Sequence, residues 1–142
     1  MADIVVTAAR VAPIWPNKCE IYSFEAAETI TKGQALYITS AGKVGVADAN
    51  ASGKEQFRGV ALNGGGAGQT IDCLRKGAVA GYTLTSQAYD AEIFLSDTVG
   101  AFADAAATMN VSIGRVMAMN DSGTLTKVLY VDADWLRTWL AD

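Results

Sequence analysis

The chain has 142 residues, of which 51% are hydrophobic and 18% are charged; its net charge is −4 and it contains no histidine. This length and composition fit one domain with its own hydrophobic core. The acidic balance argues against a nucleic-acid binder, because such proteins need a basic face to release counterions from phosphates. The lack of histidine excludes Ser-His-Asp and Cys-His catalysis and leaves the usual zinc sites short of ligands. We therefore predict no catalytic residue, no metal site and no cofactor.

The start of the chain predicts an extended N-terminal arm over residues 1–17. Ile4–Thr7 has the composition of a short strand, and two prolines then bracket Ile14 and Trp15, which favours extended backbone. The arm has two interpretations: it packs on its own domain, or it docks on a neighbouring protein as an added strand. We favour docking, because arms of this kind become ordered only when they are bound.

The same stretch lacks the features of an export signal. Residues 1–9 include Asp3 and have neither a basic start nor a long apolar run. No other stretch is long and apolar enough to span a bilayer. We therefore expect synthesis in a cytoplasm and no membrane partner.

Residues 18–142 predict a single β domain. A short unit, in which a glycine turn leads into an alternating apolar strand, occurs four times, and turn signals recur about every 8 to 12 residues. This pattern is typical of an all-β fold, either a small barrel or a clip. The four units are Lys32–Ile38, Arg58–Leu62, Ala67–Cys73 and Ile113–Ala118.

The C-terminal segment predicts a short helix over residues 134–141. Asp134 is a good N-cap, and it precedes two tryptophans and two leucines that are each spaced i,i+4, which gives the helix an apolar side. This side either covers the open end of the β body or forms an oligomer contact, since tryptophan is enriched in interface cores. The candidate oligomer contacts are Trp15, Trp135, Leu136, Trp139 and Leu140.

Three local patterns match ligand or redox sites only in part. Asp48–Gly53 begins like a calcium loop, but Gly59 stands where the closing glutamate belongs. The glycine run at residues 64–68 lacks the Gly-Lys-Ser/Thr sequence and the helix of a phosphate loop. Cys19 and Cys73 lie in separate predicted strands, so we expect two buried free thiols, although the sequence leaves a disulfide open.

The order of these parts carries a resemblance to a known family. An N-terminal arm is followed by Lys32–Ile38, Arg58–Leu62, Ala67–Ile71 and Ile113–Val116. This arrangement, over residues 21–131, is similar to that of the capsid decoration proteins of tailed bacteriophages, of the lambda-like head-stabilising type. The resemblance implies a β-clip or β-tulip fold and a homotrimer that binds the major capsid protein of the expanded shell. It also implies a capsid-binding arm made of Asp3, Ile4, Val5, Val6 and Thr7.

These expectations combine into one functional hypothesis and one alternative. We expect a non-enzymatic structural protein that binds the outer surface of an expanded phage capsid as a trimer and stabilises it. It would be made in the host cytoplasm and reside on the capsid exterior, where its acidic balance disfavours contact with packaged DNA. The alternative is a virion or tail-associated β module that binds carbohydrate or a receptor through Trp15, Tyr82 or Tyr89.

Overall fold

The computed structural model describes residues 2–139 of the chain, apart from the side chain of Asp121. Ten strands run through this part, every pairing between them is antiparallel, and the predicted all-β class is confirmed. The described residues form 3-10 turns at Ala8–Arg10 and Pro16–Lys18, and none of their helices is long and apolar enough to cross a membrane. The strands are β1 (Ala12–Ile14), β2 (Glu20–Glu25), β3 (Ala35–Ile38), β4 (Val44–Val46), β5 (Gly59–Ala61), β6 (Thr70–Ala80), β7 (Glu92–Leu95), β8 (Phe102–Ala103), β9 (Ser112–Asp121) and β10 (Thr124–Asp132).

Strand β6 organises the sheet, because its eleven residues pair along both edges. On one edge β1 and β2 follow each other as a long strand that is interrupted at residues 15–19. On the other edge β5 pairs with the first half of β6 and β10 with the second half. The sheet continues as β5–β3–β4 in one direction and as β10–β9–β7–β8 in the other, and it curls into an antiparallel half-barrel.

Apolar residues cover β6 on both faces. Leu74 lies in the larger of two hydrophobic clusters, and its neighbour Cys73 lies in the smaller one. Consecutive residues of a strand point to opposite faces, so the two clusters sit on either side of the strand. The large buried side chains are Phe57, Phe102, Ile93 and Leu129 in the larger cluster and Ile30, Leu36 and Ile71 in the smaller one.

Two of the four recurring glycines lie inside strands rather than in turns. A Cβ at Gly59 would come 2.3 Å from the sulfur of Cys73, and a Cβ at Gly114 would come 1.9 Å from the carbonyl oxygen of Tyr130. Glycine is required at both positions because the neighbouring strand approaches too closely for any side chain. Gly33 and Gly68 therefore lie in turns as predicted, whereas Gly59 and Gly114 allow two strands to pack closely.

The separate arm predicted over residues 1–17 is corrected for the described residues 2–17. Ile4 and Val11 are 7% and 1% exposed and belong to the larger core cluster. The backbone N–H of Ile4 donates to Phe102 O and that of Thr7 to Gly81 O, both at 2.8 Å. Of the two interpretations, packing on the chain's own domain is the one found, because burying these two apolar side chains stabilises the body.

The helix predicted over residues 134–141 does not form within residues 134–139, and Leu140 lies outside the described residues. Asp134 caps a single turn, with its carboxylate accepting from Leu136 N–H at 3.1 Å. The two tryptophans then separate: the Trp135 Nε1–H donates to Arg58 O at 2.7 Å, whereas Trp139 packs into the larger cluster. A helix would place both indoles on one side, so their two different partners favour an extended chain.

Both cysteines are free thiols, and the expected burial is complete only for Cys73. Burial raises the pKa of Cys73 to about 12. Cys19 is half-buried on the segment between β1 and β2, where its sulfur occupies the space that a Cβ at Gly77 would need.

Candidate interaction surfaces

One face of the sheet is apolar but belongs to neither core cluster. On this face Ala78 of β6 pairs with both Ile14 and Tyr130, and Val128 of β10 pairs with Met117. Paired residues project to the same face of a sheet, so these side chains share one surface. We call it the outer groove, and it is lined by Ile14, Trp15, Ala78, Met117, Met119, Val128 and Tyr130.

The outer groove contains three hollows of about 440, 420 and 280 Å³. The first two share Met117 and Tyr130, and the first and third share Ile14. The hollows therefore lie next to one another along the strands. Methionine side chains adapt to irregular partners, and two of them contribute to this surface.

Trp15 stands beside the first hollow and is 40% exposed. Its backbone is left-handed, with φ +53° and ψ +67°, where the chain leaves β1 and enters the 3-10 turn Pro16–Lys18. A non-glycine residue pays about 1–2 kcal/mol for this conformation. The Cys19 thiol lies 3.5 Å from Trp15 O and donates to Ile14 O at 3.4 Å, which helps to hold the turn. The strained backbone keeps the indole at the rim of the groove.

Charges of both signs border the outer groove, because a fourth hollow of about 300 Å³ shares Arg115 and Tyr130 with it and is lined by Glu92, Asp132 and Asp134. Four cations line its hollows, and Asp90 is the single carboxylate among the lining residues. Arg115 lies 3.9 Å from Asp90, while the Lys127 ammonium donates to Gln87 O and sits 5.3 Å from the centre of the Tyr89 ring. The other two cations, Arg10 and Lys18, have no carboxylate within 4.0 Å in residues 2–139.

A second surface lies at the end of the body where the N-terminal segment begins. Asp3 accepts a hydrogen bond from Ser96 Oγ, and its backbone bridges to Ala103. Asp97 and Asp104 directly follow these two partners in the chain; Asp97 accepts from the N–H and hydroxyl of Thr108, and Asp104 accepts from the N–H of Ala2. None of the three has a cation within 4.0 Å in the described part of the chain. We call this surface the acidic end; it comprises Asp3, Asp97, Asp104 and Val99, which is 55% exposed.

A third surface is an aromatic cluster around Trp135. Its ring lies 4.9 Å from that of Tyr22, and the Arg75 guanidinium lies 5.5 Å from its centre. Arg75 is also paired with Glu20 at 2.9 Å. The neighbouring Leu136 is 97% exposed and contacts solvent over its whole side chain. Trp135 therefore attaches the C-terminal segment to β2, and Leu136 remains free for a partner.

The structure divides the predicted arm residues into two groups. Ile4 is buried in the core, whereas Asp3, Val5, Val6 and Thr7 are exposed. Val5 and Val6 are 62% and 41% exposed. Only the exposed residues are available to a partner while the segment stays on its own body.

The predicted oligomer contacts also separate. Trp15 and Leu136 are exposed, Trp135 is half-buried, and Trp139 is 7% exposed inside the core. Trp135 and Trp139 therefore have internal roles in this chain. Leu140 lies outside the described residues.

The sequence interpretation did not identify the outer groove. Met117 and Met119 alternate with core-facing Val116 along β9, and Val128 and Tyr130 alternate with core residues along β10. A strand with one solvent-facing side normally alternates apolar and polar residues. The sequence signal for the outer groove was that β9 and β10 carry apolar residues on both faces.

The local patterns that resembled ligand sites have structural partners. The Asp48 carboxylate accepts from the Asn50 N–H at 2.9 Å and closes its own loop, and Gln69 Oε1 accepts from Gly66 N–H at 2.7 Å inside the glycine turn. The Tyr82 hydroxyl donates to Gly33 O at 2.6 Å, and burial raises its pKa. The Tyr82 hydroxyl is therefore held by the body, while its half-buried ring lines the third hollow.

Comparisons with protein families, with curated proteins and with solved structures found no match for this chain.

Proposed function

We propose that this chain is a non-enzymatic structural protein that binds the outer surface of an expanded phage capsid as a trimer and stabilises the shell. Its partner in this role is the major capsid protein. The proposal assigns the contact to the exposed side chains of the N-terminal segment.

The observation that carries this proposal is the way in which residues 2–7 lie on the body. They are attached through isolated bridges, Asp3 to Ala103 and Val6 to Tyr82, rather than through a continuous ladder. Ile4 anchors the segment in the core, while Val5 and Val6 face outward. Exposed β-branched residues on extended backbone fit the edge or face of another sheet. The segment thus presents a small apolar contact that its own core does not use.

A contact of this size suits a protein that coats a symmetric shell. Two valines bury little area, so a single copy would bind weakly. A trimer presents three such contacts at once, and the effective concentration of the second and third raises the total affinity strongly. The net charge of −4 favours solubility before assembly.

The test is co-sedimentation of the protein with expanded, undecorated phage heads. We expect saturable binding at a fixed ratio to the major capsid protein and greater heat resistance of the decorated heads. The double variant Val5→Ser/Val6→Ser should bind about tenfold or more weakly, because each shell contact is lost in all copies of the trimer. Leu125→Ser is the matched control, since Leu125 is 58% exposed and lies outside the segment.

Two results would refute the proposal. One is the absence of any binding to the heads. The other is an equal loss of binding in the Leu125 control, which would mean that general surface hydrophobicity rather than the N-terminal segment makes the contact.

A carbohydrate-binding module is the second candidate function, and one observation favours it. Trp15 and Tyr89 are 40% and 44% exposed, and they line adjoining hollows of the outer groove. Exposed aromatic rings of this kind form stacking platforms for apolar ligand faces. A glycan array with the wild type and with Trp15→Ala tests this candidate, and an array without signal removes it.

A further inference from the structure

Strand β2 lies at an outer edge of the sheet and has a partner on one side only. Its six residues, Glu20–Glu25, pair with β6 in an antiparallel ladder. Within residues 2–139, no backbone group of this strand forms a hydrogen bond with the backbone of any element other than β6. Alternate residues of a strand direct their N–H and C=O groups to opposite edges, so about half of these groups point away from β6. Strand β2 therefore carries a row of free donors and acceptors.

The three other outermost strands are covered or interrupted by the chain itself. Along β4, the Ala27 N–H donates to Val44 O at 2.8 Å, and along β8 the Ile4 N–H donates to Phe102 O at 2.8 Å. Strand β1 is three residues long and has Pro13 at its centre. Short strands and prolines keep an edge from pairing, and lysines do the same. Strand β2 is twice as long as β1 and contains neither a proline nor a lysine.

Apolar side chains flank the free edge of β2 on both faces of the sheet. Tyr22 pairs with Cys73 and so projects to the face of the smaller core cluster, where its ring lies 4.9 Å from that of Trp135. Ile21 pairs with Leu74 and projects to the opposite face. The two side chains are 44% and 38% exposed. A strand added beside β2 would pack its own side chains against these two and bury them.

The charges of β2 stand at its two ends and are paired within the chain. Glu20 lies 2.9 Å from the Arg75 guanidinium, and Glu25 lies 2.7 Å from the Lys43 ammonium. Pairing with β2 of a second copy is disfavoured, because full antiparallel register would place Glu20 of one copy opposite Glu25 of the other. The uncharged middle of the strand instead fits an uncharged segment of another protein with β-branched or aromatic side chains.

We propose that the free edge of β2 is a strand-addition site, which binds an extended, uncharged segment of a partner protein. Extended polypeptide satisfies such an edge because its own donors and acceptors repeat at the same spacing. The backbone hydrogen bonds supply affinity, while Ile21 and Tyr22 select apolar side chains. This inference rests on the proposed function only for the identity of the partner, which in that role is the major capsid protein. It adds a contact surface separate from the N-terminal segment.

The first experiment uses a synthetic peptide as the probe of the edge. The acetylated and amidated peptide Lys-Thr-Val-Thr-Val-Thr-Lys alternates two residues that favour strands, and its terminal lysines keep it soluble. We titrate it into the isotope-labelled full chain and follow the backbone amide signals by NMR. We expect saturable shifts of residues 20–25 and slower hydrogen exchange of their outward amides. The matched control is the same peptide with every central backbone nitrogen methylated, which keeps the side chains but cannot donate.

Variants of the edge give a second measurement. Tyr22→Lys should weaken binding of the peptide about tenfold, because the added strand would bury a charge. Ile21→Lys makes the same test on the opposite face and does not touch the ring contact with Trp135. Leu125→Lys is the matched control, since Leu125 is an exposed apolar residue of another strand. Thermal melting of each variant confirms that the fold is kept.

Three results would overturn the inference: no saturable shift of residues 20–25 with the peptide, equal binding of the methylated peptide, or wild-type binding by both Tyr22→Lys and Ile21→Lys. Hydrogen exchange of the chain on expanded heads then tests the identity of the partner. We expect slower exchange of residues 20–25 in the bound chain, and unchanged exchange would show that the capsid protein is not the occupant. A chain that binds the peptide but not the heads would refute the capsid proposal alone.

Discussion

The side-chain amide of Gln56 makes both backbone hydrogen bonds of Trp139. The Trp139 N–H donates to Gln56 Oε1 at 2.7 Å, and Gln56 Nε2 donates to the Trp139 carbonyl at 2.6 Å. One side chain thus takes the place of a neighbouring strand for a residue 83 positions away. This pairing holds the extended C-terminal segment against the β body and keeps the Trp139 indole in the core.

Gln56→Ala should lower the free energy of unfolding by about 2 kcal/mol, because it removes two hydrogen bonds that hold a mostly buried residue. Urea denaturation measures the change. Gln87→Ala is the control, since only the backbone of Gln87 makes hydrogen bonds in the structure, and it should change the value by less than about 0.5 kcal/mol. Equal effects of the two variants would contradict the pairing.

Gly114→Ala should destabilise the fold by about 3 kcal/mol or prevent folding, because the added carbon would lie 1.9 Å from Tyr130 O and force β9 from β10. Soluble yield and thermal melting measure this effect. Gly66→Ala provides the comparison: the nearest atom to its Cβ is 3.9 Å away, so we expect a nearly unchanged melting temperature. A wild-type-like Gly114→Ala would show that the strands are further apart.

Ile4→Ala should lower the free energy of unfolding by about 2–3 kcal/mol, because it leaves a cavity in the larger core cluster. Val5→Ser changes an exposed side chain and should stay within about 0.5 kcal/mol of the wild type. Chemical denaturation of both variants shows whether the N-terminal segment is part of the body. Equal stability of Ile4→Ala and the wild type would mean that the segment is detached in solution.

The stability of the protein should decline at alkaline pH partly because of Cys73. Burial raises the pKa of its thiol from 9.0 to about 12 in the folded state. A group whose pKa is higher in the folded than in the unfolded state adds its full contribution to the free energy of unfolding below the unfolded pKa. For Cys73 this contribution is lost as the pH rises from about 9 to about 12. Urea unfolding at a series of pH values measures the slope.

Cys73→Ala should reduce the alkaline slope, although its absolute stability falls because a core atom is lost. The Cys19→Ala variant should retain more of the slope, since Cys19 is only half-buried. If the free energy of unfolding fell equally steeply with pH in the wild type and in Cys73→Ala, the buried Cys73 thiol would not be a cause of the alkaline decline.

Much of the architecture was predictable from local sequence patterns. The glycine turns at Gly33 and Gly68 and the alternating strands that follow them appear as expected, because turn conformation and strand periodicity depend on neighbouring residues. The outer groove was not predicted, because tertiary contacts decide which face of an apolar strand stays uncovered.

The amino-acid sequence alone determined the all-β class, the most probable turns and the absence of histidine chemistry, because these follow from composition and from short-range backbone preferences. Only the tertiary structure decided that Ile4 and Val11 join the core, that Trp135 and Trp139 separate instead of sharing a helix face, and that β9 and β10 leave an apolar groove outside both core clusters. Each of these outcomes depends on residues far apart in the chain. The long-range partners Gln56 and Arg58, for example, overcome the local helical spacing of the two tryptophans.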